Sequence, residues 1–285
     1  MQSGNRTTKQ KFLSPAAIRW IGIGFFMLLM GWLLVTHGNA AKARWPESPG
    51  TKLNADGSLL VDISGLSEGY FQAAAQGGGQ KRLKLRVTKD GQKLTYDLNT
   101  DGKYEVFPLQ LGDGYYDIAL YRNIQGKEYS SAGRIGVYVA LSEPGVCYMY
   151  PNQYVNYTAE TEAVGKAEEL CAGLGEKQAY DKVCDFMSSS FVYDYVKAIT
   201  VKAGVLPEID ECYSKKMGVC QDLSAITCCM LRTQGIPARL VIGYADKNYH
   251  AWVEADFGGK SYFFDPTAAV NGIAKVKTYT TERWY

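Results

Sequence analysis

The sequence is poor in histidine and lacks the ligand patterns that metal sites need. Only two of its 285 residues are histidine, His37 and His250, and no two cysteines have the CxxC spacing of a zinc site. No segment has the oxygen-ligand pattern of an EF-hand calcium loop. We therefore expect no metal ion and no other cofactor.

The sequence also lacks a surplus of charge of one sign. Its 31 basic and 29 acidic side chains give a formal net charge of +2. Proteins that bind a polyanion usually carry a clear basic surplus, so we expect no nucleic-acid partner. The 46% of hydrophobic residues suffices for one large core or two smaller ones, which excludes a mainly disordered chain.

One long apolar run is present, near the N-terminus. Residues 20–36 contain no charged side chain and have the length of a short transmembrane helix. More basic residues precede the run than follow it, so the positive-inside rule places residues 1–19 in the cytoplasm. The prediction is a single-pass protein of the cell membrane with the bulk of the chain extracytoplasmic, or a secreted protein if the run is a cleaved signal peptide.

All seven cysteines lie beyond this run. They are Cys147, Cys171, Cys184, Cys212, Cys220, Cys228 and Cys229. An exported chain can keep disulfides, and an odd count leaves at least one thiol without an intramolecular partner. Six paired cysteines plus one nucleophile is one interpretation. The other, equally open for the adjacent Cys228 and Cys229, is that they are small buried hydrophobic side chains.

Residues 58–141 have the pattern of a small antiparallel β-sandwich domain. Apolar residues alternate over 82–88 and 93–98, and Asp90-Gly91 between these runs predicts a β-hairpin. Six or seven short strands over about 85 residues are typical of an immunoglobulin-like or fibronectin-like module. No cluster of catalytic residue types occurs there, so we expect a spacer or a binding module. Residues 37–57, before it, are predicted to be a linker.

The pattern changes to that of an α+β domain over residues 145–285. Two stripes of apolar residues predict helices near its start, and residues 221–234 predict a further helix that ends at Gly235-Ile236-Pro237. An apolar strand follows at 240–242. Two more strand patterns flank Gly258-Gly259, which predicts an antiparallel hairpin.

Three residues of this second domain have the chemistry of a nucleophile, a base and an orienting acid. Cys220 comes at the predicted start of a helix, where the helix dipole and unpaired backbone amides favour a thiolate. His250 is the only imidazole outside the N-terminal region. Asp265 ends the strand predicted to pair with the His250 strand, so it can meet the imidazole across the hairpin. These residues predict a Cys-His-Asp triad.

The local sequences around the three residues resemble the transglutaminase-like superfamily. The matching segments are Gly218-Val219-Cys220-Gln221-Asp222, Leu231-Arg232-Thr233-Gln234-Gly235-Ile236-Pro237-Ala238-Arg239, Gly243-Tyr244, His250-Ala251-Trp252-Val253-Glu254 and Phe264-Asp265-Pro266-Thr267. The resemblance spans roughly residues 176–285. It implies a papain-like core in which the thiolate attacks an amide carbonyl and releases an amine.

These observations predict an extracytoplasmic thiol acyl-transfer enzyme that acts on protein or peptidoglycan-peptide amides. An amine acceptor would give cross-linking, and water would give deamidation or peptide hydrolysis. The alternatives are a catalytically silent envelope binding or adhesion module and a papain-like peptidoglycan hydrolase. Trp252 is expected in the cleft wall or the core with equal weight. Tyr193 and Tyr195 are expected to pack in the core rather than line the cleft.

Overall fold

The structure is a computed structural model that describes residues 43–285 except 48, 49, 78, 80, 203, 273–275 and 277. The predicted cytoplasmic segment 1–19 and the predicted transmembrane helix 20–36 lie outside the described residues. Within the described residues, no helix has the length and apolar character that crossing a bilayer requires. The predicted single-pass membrane localisation is corrected accordingly: the described residues contain nothing that supports it, and we do not carry it further.

The first part of the described chain consists of eight strands in two antiparallel sheets. The strands are β1 (Leu53–Asp56), β2 (Leu59–Asp62), β3 (Tyr70–Ala75), β4 (Leu83–Lys89), β5 (Gln92–Leu98), β6 (Glu105–Pro108), β7 (Gly114–Gln125) and β8 (Glu128–Val139). One sheet has the order β1-β2-β3-β6 and the other β5-β4-β7-β8. Strand β1 lies inside the segment 37–57 that the sequence predicted to be a linker.

The predicted hairpin is formed by β4 and β5. Lys89 pairs with Gln92, so only two residues make the turn. Asp90 and Gly91 both have positive φ, 48° and 81°, which matches a two-residue turn whose twist suits antiparallel strands. Along β4 every second side chain is buried, so one face of the strand points into the core.

The second part combines six helices with a further antiparallel sheet. The helices are α1 (Glu162–Cys171), α2 (Glu176–Ser190), α3 (Tyr195–Thr200), α4 (Ile209–Lys215), α5 (Cys220–Arg232) and α6 (Pro266–Asn271), and a 3-10 turn precedes them at Val146–Met149. The remaining strands are β9 (Val192–Tyr193), β10 (Met217–Gly218), β11 (Ala238–Ala245), β12 (Asn248–Phe257), β13 (Lys260–Phe264) and β14 (Tyr279–Trp284). The sheet order is β13-β12-β11-β14, and β9 and β10 form a separate parallel pair. The chain therefore has a mixed fold with several antiparallel sheets.

Helix α5 is the central helix of this part. Every residue from Asp222 to Arg232 is buried, and the helix packs against β11, β12, α1 and α2. Cys228 and Cys229 are fully buried there with free thiols, which agrees with their interpretation as small hydrophobic side chains. A helix enclosed on all sides has little freedom to shift, so its first residue is held at a fixed place beside the sheet.

The C-terminal end of α5 is fixed by a fully buried arginine. Arg232 donates hydrogen bonds to three backbone carbonyls, those of Ala238 (2.8 Å), Tyr150 (2.6 Å) and Tyr285 (2.9 Å). These acceptors lie in β11, after the 3-10 turn and after β14. The guanidinium therefore joins the helix to three distant segments, and its donors meet carbonyls that burial would otherwise leave unpaired.

The two parts share one hydrophobic core. Buried side chains of both belong to a single continuous cluster. Tyr285 illustrates this, because its ring stacks on Tyr154 at 3.5 Å and also meets Tyr96 of β5 at 6.0 Å between ring centroids. All described residues fall in one compact unit, Ala41–Tyr285. The division into domains at residues 141–145 stays a prediction.

Candidate active site

Cys220 is the first residue of α5, as the sequence predicted. Its side chain is partly exposed, and Val219 before it is the helix N-cap. The buried Asp222 carboxylate accepts a hydrogen bond from the Val219 amide at 3.0 Å, which fixes the entry into the helix. Amides of a first helical turn have no acceptor within the helix, so the thiol stands where partial positive charge is concentrated.

A buried ion pair holds helix α3 against this first turn. The Nζ of Lys197 lies 2.9 Å from Oδ2 of Asp222, whose side chain has no exposed surface. The preceding strand β9 pairs with β10, with Tyr193 opposite Gly218. Residues 193–197 are therefore held against the start of α5 at two points, by the pairing of β9 with β10 and by the ion pair of Lys197 with Asp222.

His250 lies on β12, between β11 and β13. Its partner on β11 is Gly243. A Cβ atom at Gly243 would lie 2.0 Å from the carbonyl oxygen of Thr280 on β14, so a residue with a side chain cannot occupy this position without moving that strand. The close approach of β14 brings Tyr279 into the neighbourhood of the imidazole.

Asp265 meets His250 directly. Its Oδ2 lies 2.8 Å from Nε2 of His250, and its Oδ1 accepts a hydrogen bond from the Ala268 amide at 3.0 Å. The second contact makes Asp265 the N-cap of α6, with Pro266 as the first helical residue. One oxygen of the Asp265 carboxylate is thus fixed by the helix cap, while the other holds the imidazole.

The pKa of His250 is raised from 6.5 to about 9. Burial opposes the charged imidazolium and lowers the pKa, but hydrogen bonds and attraction from Asp265 and Cys220 outweigh it. Burial pushes the pKa of Asp265 upward, and the hydrogen bond and charge of His250 overcome this and lower it. Both shifts favour an imidazolium paired with a carboxylate.

The structure brings His250 and Asp265 into direct contact. Cys220 is among the groups that raise the pKa of His250, after the hydrogen bond with Asp265. Because Asp265 occupies Nε2, Nδ1 is the ring nitrogen left for a second partner. The complete Cys220-His250-Asp265 triad stays a prediction.

Tyr279 is a site residue that the sequence analysis missed. Its hydroxyl donates to Oδ2 of Asp265 at 2.8 Å, the same oxygen that contacts His250. Burial and the neighbouring carboxylate both raise the pKa of Tyr279, so the hydroxyl keeps its proton and remains a donor. No local sequence signal pointed to it, because residues 279–284 do not alternate between apolar and polar side chains and their pairing partner β11 lies more than 30 residues away along the chain.

A cavity of about 350 Å³ opens onto the imidazole and the carboxylate. Its lining includes Tyr193, Tyr195, His250, Asp265 and Asn271. The expected core position is therefore wrong for Tyr195, which is 67% exposed, whereas Tyr193 packs against the core and also lines the cavity. Tyr195 begins a short helix that buries none of its residues, and its hydroxyl donates to Asn271 across the cavity at 2.9 Å.

Trp252 belongs to the core and does not line this cavity. It is 1% exposed, its ring meets that of Tyr279 at 5.1 Å between centroids, and its Nε1 donates to Glu254 at 3.1 Å. Trp252 thus supports the ring of Tyr279 from the interior. In the part of the chain that the structure describes, no group of three or more histidine, cysteine or acidic side chains is arranged to hold a metal ion.

The comparison with protein families gives a class for this part of the chain. Residues 166–266 match the model of the transglutaminase-like superfamily, so the chain contains a transglutaminase-like domain. This match supports the general class of cysteine-dependent enzymes for the chain.

Individual relatives are distant. An uncharacterised protein of Mycobacterium leprae (strain TN) is 29% identical over 132 residues, which cover 42% of this chain and 44% of that protein. The chain thus spans less than half of the length of that curated relative.

Among solved structures, a Cytophaga hutchinsonii protein provisionally named a cysteine protease is 15% identical, with a TM-score of 0.38, over 76% of this chain and 91% of that chain. The periplasmic domain of TgpA from Pseudomonas aeruginosa, solved with ethylmercury, is 16% identical, with a TM-score of 0.36, over 80% of this chain and 78% of that chain. At this level of similarity, the roles of the site residues depend on the geometry of this chain alone.

Proposed function

We propose that this chain is a thiol acyl-transfer enzyme that acts on amides of protein or peptide substrates. Cys220 is the nucleophile, His250 the acid and base, and Asp265 the group that orients the imidazole. The observation that carries the proposal is the 2.8 Å contact of His250 Nε2 with Asp265, with the Cys220 thiol coupled to the same ring. These contacts supply the groups that acyl transfer through a thioester requires.

The reaction proceeds in two steps. The Cys220 sulfur attacks the amide carbonyl carbon, the C–N bond breaks, and the departing amine takes a proton from the His250 imidazolium. Water or a second amine then attacks the thioester carbonyl carbon and gives its proton to His250, the C–S bond breaks, and the Cys220 thiolate leaves beside the restored imidazolium. Water as acceptor gives deamidation or peptide hydrolysis, and an amine gives a new cross-link.

Two donors near Cys220 suit the negative oxygen of the tetrahedral intermediate. The Cys220 amide belongs to the first turn of α5, where amides lack intrahelical acceptors. Tyr193 is the second: burial, Cys220 and other negative groups raise its pKa to about 12, so it stays protonated and can donate. We assign Tyr193 this role because it lines the same cavity as His250, and because Cys220 is among the groups that raise its pKa.

The imidazolium required for amine release is favoured up to about pH 9, the pKa of His250 in the folded chain. Above that pH the ring loses its proton, and with it the ability to protonate the leaving amine. We therefore expect acylation to decline through about pH 9, as His250 loses its proton.

Competitive alkylation of the full chain tests the proposal. Cys184 is a matched internal control because it is also partly exposed, while burial raises its pKa to about 12. With limiting iodoacetamide at neutral pH and peptide mass spectrometry, we expect Cys220 to react about 100-fold faster in the unmodified chain than in the variant His250→Gln, because the thiolate is the reactive form and the imidazolium favours it. The Cys184 rate should be the same in both proteins. An unchanged Cys220 rate in His250→Gln would contradict the proposal and favour a binding module without catalysis.

A further inference from the structure

A second cavity lies where the strands of the first part meet the chain that follows the 3-10 turn. Its volume is about 330 Å³, and it shares no lining residue with the cavity at His250. Tyr104, Glu105 and Val106, at the start of β6, line one part of it, and residues of the segment 151–157 line most of the remainder. The two sets of residues therefore form a pocket that is separate from the candidate active site.

A buried amide group in this cavity lacks a hydrogen-bond partner. Asn152 lines the cavity and is 5% exposed. Its Oδ1 accepts hydrogen bonds from the backbone amides of Tyr154 at 2.9 Å and Val155 at 3.0 Å, which fixes the orientation of the carboxamide. Its Nδ2 has no partner in the part of the chain that the structure describes. Burying a donor without an acceptor is unfavourable, so this nitrogen is suited to an acceptor atom of a ligand.

The carboxylate of Glu105 is held in a fixed position in the same cavity. Its Oε2 accepts a hydrogen bond from the Asn99 amide at 2.7 Å, and its Oε1 accepts one from Nε2 of Gln153 at 2.8 Å. Each carboxylate oxygen has a further lone pair, so Glu105 can accept another hydrogen bond from a ligand. Among the described residues that line the cavity, none is basic. An anionic ligand would therefore meet a negative charge that no neighbouring cation offsets.

The rest of the lining is aromatic or aliphatic. The ring of Tyr157 is fixed, because its hydroxyl donates to the Met149 carbonyl at 3.4 Å and Trp45 packs edge-on against it at 5.7 Å between centroids. Tyr104 and Leu206 add further apolar surface. Ligand pockets typically combine apolar walls with a few fixed polar groups. Walls of this kind, beside one donor and one acceptor, suit a molecule that carries both C–H faces and hydroxyl groups.

We propose that this cavity binds an uncharged saccharide unit. The faces of a sugar ring carry C–H groups that can cover the tyrosine and aliphatic side chains. At the edge of the ring, one hydroxyl oxygen accepts from Nδ2 of Asn152 while a neighbouring hydroxyl donates to the carboxylate of Glu105. An acidic sugar or a phosphate would bring a second negative charge to Glu105. The site goes beyond the proposed function, because neither cavity contributes a residue to the other.

Isothermal titration calorimetry of the full chain with defined sugars tests the proposal. The neutral probes are cellotetraose, maltotetraose, mannotetraose and chitotetraose, and the acidic probe is tetragalacturonate. We expect at least one neutral probe to bind with a Kd of about 1 mM or lower. Because Glu105 repels a carboxylate, the acidic probe should bind at least about tenfold more weakly than that neutral probe.

The variant Asn152→Asp removes the unpaired donor and keeps the turn. Aspartate retains an oxygen for the amides of Tyr154 and Val155, and it replaces Nδ2 by a second oxygen. We expect the affinity for the neutral sugar to fall at least about tenfold, because the donor to its hydroxyl is lost. The matched control is Asn54→Asp on the exposed strand β1, which should bind like the unmodified chain.

A second variant keeps the test decisive if Asn152→Asp does not fold. Tyr104→Ala removes a partly exposed ring from the wall and should weaken the neutral sugar at least about fivefold. Its control is Tyr115→Ala, because that ring is 59% exposed on β7 and should contribute nothing to the affinity. Circular dichroism melting verifies that each variant is folded.

Three results would overturn the inference. These are the absence of binding by every neutral probe, tighter binding of tetragalacturonate than of any neutral probe, and binding that Asn152→Asp and Tyr104→Ala both leave unchanged. A neutral glycine-serine peptide that binds where no sugar does, and that Asn152→Asp weakens, would assign the cavity to a polypeptide instead.

Discussion

The ion pair of His250 and Asp265 leads to a quantitative prediction for the variant Asp265→Asn. Asparagine keeps a side-chain oxygen that can accept the hydrogen bond from the Ala268 amide, so the N-cap of α6 should survive. It removes the negative charge that lies 2.8 Å from His250 Nε2. We expect the pKa of His250 to fall from about 9 toward or below 6.5, because burial of the ring then acts with less opposition.

The stability cost follows from the pKa shift. A rise from 6.5 to about 9 corresponds to about 3 kcal/mol, at about 1.4 kcal/mol per pKa unit. Because the folded-state pKa is raised, this contribution is complete below pH 6.5 and is lost as the pH rises through about 9. The free energy of unfolding of Asp265→Asn should thus be about 3 kcal/mol below that of the unmodified chain near pH 6, and this difference should shrink above about pH 9.

Two measurements check this prediction. Urea unfolding followed by circular dichroism gives the free-energy difference at each pH. An NMR titration of the two histidines gives the pKa of His250 in both proteins. Asp256→Asn is the control, because that carboxylate lies on the partly exposed surface, 3.5 Å from Arg239, and should cost less than about 1 kcal/mol without this pH trend. A His250 that titrates near 6.5 in the unmodified chain, or is unchanged by Asp265→Asn, would refute the reasoning.

Three further substitutions test other parts of the account. Tyr279→Phe removes a donor from Asp265, so the carboxylate becomes more basic and the pKa of His250 should rise further; an NMR titration showing no rise would count against this role. Tyr193→Phe should reduce kcat about tenfold or more with little change in KM, and a change confined to KM would exclude an oxyanion donor. Arg232→Met leaves three carbonyls without their donor and should lower the free energy of unfolding, measured in urea, by about 3 to 5 kcal/mol. The control is the surface substitution Arg134→Met, which should change this free energy by less than about 1 kcal/mol. A small effect of the Arg232 substitution would contradict its clamping role.

Features fixed by neighbouring residues were predictable from the sequence. The β4–β5 hairpin follows from the alternation of apolar residues around Asp90-Gly91. Helix α5 begins at Cys220, where the sequence predicted the start of a helix. The hairpin at Gly258-Gly259 has the expected two-residue turn, with Phe257 paired to Lys260. Each of these depends on turn geometry and periodicity within a few residues.

Features fixed by distant residues were not predictable. The expected core position of Tyr195 was wrong, because Lys197 occupies the inner side of its helix to pair with Asp222 and Tyr195 is left at the surface. The hydroxyl of Tyr279 reaches Asp265 only because β14 pairs with β11, a contact that no local pattern encodes. Contacts of this kind depend on the assembled fold and have no signature within a short window of sequence.

The most direct test of the account is the detection of an acyl group on Cys220. The full chain is incubated with a glutamine-containing peptide, quenched in acid during turnover and digested for mass spectrometry. The account predicts a thioester on Cys220, with release of ammonia, that disappears on treatment with hydroxylamine and is absent from Cys220→Ala. Turnover of the peptide without any adduct on Cys220 would contradict it. An acyl adduct on another residue that still forms in Cys220→Ala would also contradict it.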